Sequence, residues 1–213
     1  MERGEVLPAR ACQLDLLSHP TVARIRRAVL PPELNDGSDA AERAGQRAAS
    51  VLMPLVFREG EWRVVFTQRP DTMPTHAGQI SFPGGKREGG ETALEAALRE
   101  TEEEIGVAPH EVEVIGRLPS FNAGDRYRVS PFIGVVSALA EIVPDAEEVA
   151  AVFETPLPWL MDRRNHVARD VEFNGEPHRL WDMPWEDESG KVWEIWGMTA
   201  MMLYRLWERA YGR

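Results

Sequence analysis

The stretch that decides the fold runs from residue 84 to residue 107. It reads Gly84-Gly85-Lys86-Arg87-Glu88-Gly89-Gly90-Glu91 and, after seven residues, Arg99-Glu100-Thr101-Glu102-Glu103-Glu104-Ile105-Gly106-Val107. A glycine-rich loop here precedes a predicted helix over residues 91–105, which Gly106 ends. The side chains expected to face the core recur at helical spacing and are Leu94, Ala97, Leu98, Thr101 and Ile105.

Three carboxylates share one side of this predicted helix. At 100° per residue, Glu100, Glu103 and Glu104 fall within an arc of about 100°. Neighbouring like charges repel, so a bound cation would relieve them, and an all-oxygen ligand set suits Mg²⁺ or Mn²⁺. Arg99, one turn from both Glu95 and Glu103, can hold a carboxylate in place. The pattern favours a divalent-metal site; a merely solvated, glutamate-rich helix is the alternative.

This spacing resembles the Nudix box, Gly-x5-Glu-x7-Arg-Glu-U-x-Glu-Glu-x-Gly-U, in which U is aliphatic. The matching residues are Gly85, Glu91, Arg99, Glu100, Glu103, Glu104, Gly106 and Val107. Thr101 departs from the pattern at the first U, where we expect a change of packing rather than lost activity. The resemblance implies a metal-dependent hydrolase that uses Arg99 and binds Mg²⁺ or Mn²⁺ through Glu100, Glu103, Glu104 and the Gly84 carbonyl.

Strand patterns lie on both sides of the helix. Segments 51–57 and 62–67 are rich in β-formers and flank a predicted hairpin turn, and residues 197–210 read as a closing helix. Further strands are predicted at 112–118, 131–137, 150–153, 166–173 and 179–183. This order favours an α+β (mixed α/β) fold over repeated βαβ units. The resemblance implies a Nudix-type α/β/α sandwich with a mixed central sheet.

The chain of 213 residues suits one large domain with a terminal addition. Residues 1–48 are predicted to be an N-terminal extension, with a short helix near 19–30 followed by a polar linker. Residues 49–213 are predicted to be the Nudix hydrolase domain.

A narrower resemblance lies upstream of the box. The residues Thr67, Arg69, Gly78 and Phe82-Pro83-Gly84-Gly85 look like the signature of coenzyme A pyrophosphatases, and Trp196-Gly197-Met198-Thr199-Ala200 looks like a motif near their C-terminus. Pro70 and Pro74 depart from it, and Pro74 replaces a basic residue. The resemblance implies hydrolysis of coenzyme A to 3′,5′-ADP and 4′-phosphopantetheine. The alternatives are another Nudix substrate (ADP-ribose, a dinucleotide or a damaged nucleotide) and a non-catalytic nucleotide-binding module.

Several residues outside the helix are candidates for the site, each with a simpler alternative. Arg69 can bind phosphate or form a surface salt bridge, and His76 can assist a phosphate or brace its loop. Arg126, in the loop 121–127, can supply a cation beside an aromatic wall or belong to an ordinary loop. Glu148 can add a carboxylate near the metals or begin a solvated strand. Gly78, Phe82 and Gly85 complete the predicted substrate-binding set.

Composition excludes several classes of function. Lys and Arg number 24 against 35 Asp and Glu, a net charge of −11, which argues against binding nucleic acid or anionic membranes but not against a small anionic substrate. Cys12 is the single cysteine, which rules out an internal disulfide and a multi-cysteine zinc site. No apolar run approaches a membrane span and the start lacks a signal-peptide core, so the expected location is cytoplasmic. Oligomeric state is not predicted.

Overall fold

The computed structural model describes residues 9–34, 46–72, 77–124, 126–173 and 175–212. Its helices are α1 (Ala9–Ser18), α2 (Pro20–Ala28), α3 (Ala93–Ile105), α4 (Leu157–Leu160) and α5 (Gly197–Ala210). Its strands are β1 (Arg47–Arg58), β2 (Glu61–Gln68), β3 (Ile80–Ser81), β4 (Gly84–Lys86), β5 (Val112–Arg117), β6 (Phe121–Ala123), β7 (Tyr127–Val136), β8 (Ala151–Pro156), β9 (Val167–Phe173), β10 (Glu176–Glu186) and β11 (Val192–Trp196).

The larger sheet is mixed. Its main path runs β3-β2-β1-β7-β5, with β4 beside β1, β6 beside β7 and β8 beside β2. Strands β1 and β7 are parallel, and the remaining pairs are antiparallel. The predicted β1–β2 hairpin is confirmed, and it turns at Glu59 and Gly60, both of which have positive φ.

Helices cover both faces of this sheet. On one face, Leu52 and Phe132 pack with Ala93 and Ala97 of α3. Successive strand residues point to opposite faces, and the neighbouring residue Met53 accordingly packs in the larger core together with side chains of α2 and α5. The predicted α/β/α sandwich with a mixed central sheet is therefore confirmed.

A second, three-stranded sheet has the order β11-β10-β9 and packs against α5. Trp181 of β10 stacks on Tyr204 of α5, with ring centroids 4.2 Å apart and planes inclined by 14°. The β9–β10 pair matches a predicted hairpin, whereas β11 was not predicted. This sheet fixes the position at which α5 begins.

The N-terminal helices belong to the main core. His19 caps α2 by accepting a hydrogen bond from the Thr21 backbone N–H at 3.2 Å, and Val22 and Ile25 are fully buried. The Arg209 Nε of α5 donates to the Ala28 carbonyl at 2.8 Å. Helix α1 was not predicted, and residues 35–45 of the predicted linker lie outside the described residues.

The buried face of α3 differs from the predicted stripe. Thr92 caps the helix in a capping box with Glu95, and Gly106 ends it in the left-handed conformation at φ 72°. The buried side chains of the helix are Ala93, Ala96, Ala97, Thr101, Glu104 and Ile105. Leu94 and Leu98 are only partly buried, because the small alanines let the helix approach the sheet and leave the leucines at its margin. No helix among the described residues is long and apolar enough to cross a membrane.

Candidate active site

Glu104 is the buried member of the carboxylate group. Only 4% of it is exposed, and its Oε2 accepts a hydrogen bond from the Gly84 backbone N–H at 3.3 Å. Burial raises the pKa of Glu104 to about 8, with the nearby charges of Glu100 and Glu148 adding to the rise, although Gly84 and the positive charge of Arg69 oppose it. Helical spacing predicts that the three carboxylates share one side of the helix, but it does not reveal that this one is buried.

Glu100 lies between the helix and β4. Its carboxylate occupies the space in which a Cβ atom at Gly85 would stand, so only glycine permits this approach. Burial raises the pKa of Glu100, although Arg99 Nη2, 3.0 Å from Glu100 Oε1, opposes the rise. The absence of a side chain at Gly85 thus allows the Glu100 carboxylate to occupy its position.

Arg99 connects the box residues to one another. Its Nε lies 2.7 Å from Glu91 Oε1, and its Nη1 lies 2.7 Å from Glu103 Oε2. Its Nη2 donates to the Lys86 carbonyl at 3.0 Å. These contacts, led by Glu91, raise the pKa of Arg99, so it remains a cation. The predicted contact with Glu103 is present.

The predicted contact between Arg99 and Glu95 is wrong. The Glu95 carboxylate instead accepts a hydrogen bond from the Thr92 backbone N–H at 2.8 Å, within the capping box of α3. Glu91, which was not assigned to Arg99, takes its place. The Thr-x-x-Glu spacing at 92–95 is the sequence signature of a capping box and was the available signal.

Glu148 reaches the same site from the loop before β8. Its side chain is exposed, and its charge raises the pKa of both Glu100 and Glu104, which places it near both carboxylates. The loop is tied to the helix because the Asp145 backbone N–H donates to the Glu104 carbonyl at 3.0 Å. The structure therefore places this carboxylate beside the box, and its role near the metals stays a prediction.

Arg69 follows β2 and lies beside Glu104. Its backbone N–H donates to the Gln79 carbonyl at 3.0 Å. Its side chain is half-buried, its Nε has no hydrogen-bond partner, and its charge lowers the pKa of Glu104. Among the described residues Arg69 forms no salt bridge, which was the simpler alternative for this side chain.

The other predicted substrate-binding residues differ in position. Gly78 shapes its loop at φ 67°, with the Asp71 carboxylate in the space that a Cβ would fill. Phe82 is 1% exposed and stacks on Phe66 with centroids 5.2 Å apart, so it supports the loop from the core, and the expectation that it contacts substrate is wrong. His76 and Pro74 lie outside the described residues.

The sequence profile of the NUDIX domain matches residues 46–173. The chain belongs to the Nudix family. It is 35% identical over 179 residues to the uncharacterized Nudix hydrolases NudL of Escherichia coli (strain K12) and Shigella boydii serotype 4 (strain Sb227), covering 84% of this chain and 88% of each relative. The Nudix hydrolase RenU from M. smegmatis is similar in structure, with a TM-score of 0.47 and 19% identity over 63% of this chain and 82% of that one.

This Nudix hydrolase is accordingly an enzyme that cleaves pyrophosphate bonds. Nudix hydrolases generally use divalent metal ions. Among the described residues, no three His, Cys, Asp or Glu side chains are grouped closely enough to hold a metal ion as they stand. Arg99 contacts both Glu100 and Glu103. The donors still suit a hard cation, because they are all oxygens and the buried Glu104 forms no ion pair among the described residues.

A cavity of about 890 Å³ lies beside the Nudix core and was not predicted. It is bounded by β6, the β9–β10 hairpin and α5, and its apolar walls include Phe121, Val171, Leu180, Met198, Met201 and Met202. Of the predicted loop 121–127, Phe121 lines this cavity, whereas Arg126 is exposed and does not. The sequence feature that marks this cavity is three methionines at helical spacing. From the sequence alone, such methionines are more readily interpreted as core residues.

Proposed function

We propose that this Nudix hydrolase cleaves the pyrophosphate bond of coenzyme A or its derivatives, giving 3′,5′-ADP and 4′-phosphopantetheine or its acyl form. One observation carries the proposal. The segment that resembles the coenzyme A pyrophosphatase signature, residues 67–85, meets the box at Glu104, through the Gly84 N–H at 3.3 Å and the adjacent charge of Arg69. Recognition and hydrolysis would then take place at one position.

The carboxylates of α3 are expected to bind the metal ion at this position. We expect Glu100, Glu103 and Glu104, with the Gly84 carbonyl, to hold Mg²⁺ or Mn²⁺. Such an ion, when bound, neutralises charge on the pyrophosphate and acidifies water. Arg99 fixes the carboxylate of Glu103 at 2.7 Å and so limits the orientations that Glu103 can adopt.

Glu148 supplements this set from a separate loop. Its side chain is exposed, on a loop that is tied to α3 by the hydrogen bond from the Asp145 backbone N–H to the Glu104 carbonyl. We expect Glu148 to act as the additional carboxylate of the site.

Arg69 is the residue that we expect to bind substrate phosphate. An arginine whose Nε has no partner can donate to a phosphate oxygen without breaking an existing bond at that atom. Because Arg69 lies beside Glu104, the scissile pyrophosphate is a nearer target than the 3′-phosphate of coenzyme A. With a net charge of −11, the enzyme is expected to act on this small molecule and not on nucleic acid. We expect its location to be the cytoplasm.

A substrate panel tests the proposal. Coenzyme A, acetyl-CoA, ADP-ribose and NADH are incubated with the enzyme and Mg²⁺ or Mn²⁺, and the products are identified by mass spectrometry. We expect the highest kcat/KM with the coenzyme A compounds and release of 3′,5′-ADP. A higher kcat/KM with ADP-ribose or NADH would contradict the assignment. Glu104→Gln, purified in parallel, controls for contaminating hydrolases.

A further inference from the structure

We infer that the cavity beside α5 binds the acyl chain of an acyl-coenzyme A and sets the preference of the enzyme for chain length. The inference rests on the proposed function and adds to it a site and a class of substrate. The cavity measures about 890 Å³, within the range of pockets that enclose organic ligands of considerable size. Three separate elements form it, namely β6, the β9–β10 hairpin and α5.

The walls suit a flexible apolar chain. Met198, Met201 and Met202 of α5 face Val171 and Leu180 of the hairpin across the cavity. Methionine is unbranched and polarisable, so a surface rich in it repacks around ligands of different shape. Alkyl chains of several lengths match such walls better than one rigid ring does.

The three arginines that line the cavity have partners within the protein. Arg205 pairs with Glu208 at 2.9 Å, and Arg179 pairs with Asp170 at 2.8 Å. Arg209 Nε donates to a backbone carbonyl at 2.8 Å. These three arginines therefore offer less to a phosphate than Arg69 does, and the cavity favours the uncharged end of the substrate over its nucleotide end.

The α5 wall is joined to the catalytic loop. Met198 precedes Thr199, whose Oγ1 donates to the Ile80 carbonyl at 2.9 Å, and Thr199 is 5% exposed. Four residues after Ile80, Gly84 donates to the Glu104 carboxylate. The start of α5 is therefore joined through Thr199 to the segment 80–84, to which the proposed function assigns the pyrophosphate end of the substrate.

The opposite wall of the cavity, at Phe121, lies in the same sheet as β4. Phe121 pairs with Val129 of β7, which pairs with Ala49 of β1, which pairs with Lys86 of β4. Three strand spacings separate Phe121 from Lys86, or about 14 Å. A flexible chain as long as about four extended residues covers this separation along the sheet. The acyl site requires the pantetheine arm to cover it and to reach the face of the sheet on which α3 carries the carboxylates.

The first experiment measures kcat/KM for coenzyme A and for its acetyl, octanoyl and lauroyl thioesters. Each buried methylene contributes roughly a fourfold gain in binding, so we expect kcat/KM to rise at least about tenfold from acetyl-CoA to octanoyl-CoA. A flat or falling profile would overturn the acyl site alone. No turnover of any coenzyme A compound would overturn the proposed function as well, so the two failures are distinguishable.

The second experiment uses two variants, each of which narrows the cavity with a tryptophan on a different wall. Met201→Trp on α5 and Val171→Trp on β9 should each lower the ratio of kcat/KM for octanoyl-CoA to that for coenzyme A by at least about tenfold. Met201→Leu conserves volume and should keep the ratio within about threefold. Melting temperatures identify any variant that fails to fold. In that case the tryptophan variant on the other wall is the one that tests the inference.

An unchanged ratio in the folded tryptophan variants would overturn the inference. An equal fall of kcat/KM on both substrates would also overturn it, because that result would assign the cavity to the nucleotide end, with Phe121 as an aromatic wall for the adenine ring.

Discussion

The carboxylate of Glu100 lies directly over the backbone of Gly85, in the space that the Cβ atom of any other residue would fill. This contact joins the middle of α3 to β4 and holds the loop before the helix against the carboxylates. The requirement for glycine at this position therefore comes from the close approach of a side chain and not from the backbone conformation of a turn.

Gly85→Ala should accordingly lower activity more than stability. The added methyl group must displace the Glu100 carboxylate, which ends a flexible side chain and can move. We expect kcat to fall roughly 10- to 100-fold, because a misplaced catalytic group loses much of its effect, while the melting temperature changes by a few degrees at most. Gly89→Ala is the matched control, since a Cβ at Gly89 meets nothing within 4 Å. Equal kcat values for the two variants would contradict the role of this contact.

The sequence predicted the elements that carry a strong repeating pattern. The bounds of helix α5 and both strands of the β1–β2 hairpin were predicted, because each element has enough residues to show its period. Strand β1 begins at Arg47, four residues before the predicted strand. Strands β3, β4 and β6 have two or three residues and exist because longer strands pair with them. Such short strands have no period of their own, and a sequence pattern cannot reveal them.

The part of the site that lies on helix α3 could be predicted from the sequence. The spacing of the box identified its carboxylates, but the burial of Glu104 arises from the loop at Gly84, which lies 20 residues away in the chain. The cavity likewise requires β6, the hairpin and α5 to meet. Contacts of this kind depend on tertiary packing, which helical spacing does not report.

The corrected phase of α3 can be tested by substitutions at adjacent positions. Leu98 is partly buried, so Leu98→Ala should cost about 1–2 kcal/mol of unfolding free energy, below the usual range for a fully buried leucine. Ala97 is 0% exposed against the sheet, so Ala97→Leu should cost about 1–3 kcal/mol through overpacking. Thermal denaturation, at roughly 2–4 °C per kcal/mol, measures both. A loss for Leu98→Ala of about 2–5 kcal/mol, the usual range for a fully buried leucine, would instead restore the burial that the sequence predicts for this residue.

Glu104 should destabilise the protein at alkaline pH when divalent ions are chelated. Its pKa is about 8 in the folded state, against 4.5 ordinarily, so the native protein holds this proton more tightly than the unfolded chain. The resulting stability is present below about pH 4.5 and is lost as the pH rises through about 8. Glu104→Gln in EDTA should therefore raise the melting temperature near pH 8, by the equivalent of about 1–3 kcal/mol, and leave it almost unchanged near pH 4.

Glu104→Gln should also lower activity by roughly 100-fold or more, because the site loses its buried carboxylate. Glu102→Gln, at an exposed position of the same helix, should change neither property appreciably. If Glu104→Gln were destabilising at both pH values, the carboxylate would have a structural role and the metal assignment would weaken.

His166 should make the protein sensitive to acid. It is 4% exposed, and its Nε2 lies 2.6 Å from the Leu160 carbonyl oxygen. Burial lowers the pKa of His166, and the nearby charge of Arg163 lowers it further. The native state thus favours the neutral ring, so its contribution to stability is present above about pH 6.5 and is lost as the pH falls below that value.

Melting temperatures of wild type and His166→Gln between about pH 5 and pH 8 check this expectation. The wild type should lose stability towards the acid end more steeply than the variant, which has no ring to protonate. Parallel pH profiles would show that other groups control the acid transition.

Arg69 provides the test that bears most directly on substrate recognition. A charge-assisted phosphate contact contributes about 1.5–3 kcal/mol, so Arg69→Ala should lower kcat/KM for coenzyme A roughly 10- to 150-fold. Arg69→Lys keeps the charge but not the paired donors, and should recover only part of the loss.

A comparison with dephospho-coenzyme A identifies the phosphate that Arg69 contacts. Its charge acts on Glu104, so we expect it to bind the pyrophosphate that both compounds contain, and Arg69→Ala should lower kcat/KM for both by similar factors. If Arg69 bound the 3′-phosphate, only coenzyme A would lose the contact, and the wild-type preference for it would largely disappear in the variant. If neither substrate were affected, Arg69 would have no part in binding. The case for coenzyme A would then rest on the remaining signature residues, which Pro74 already weakens by replacing a basic residue.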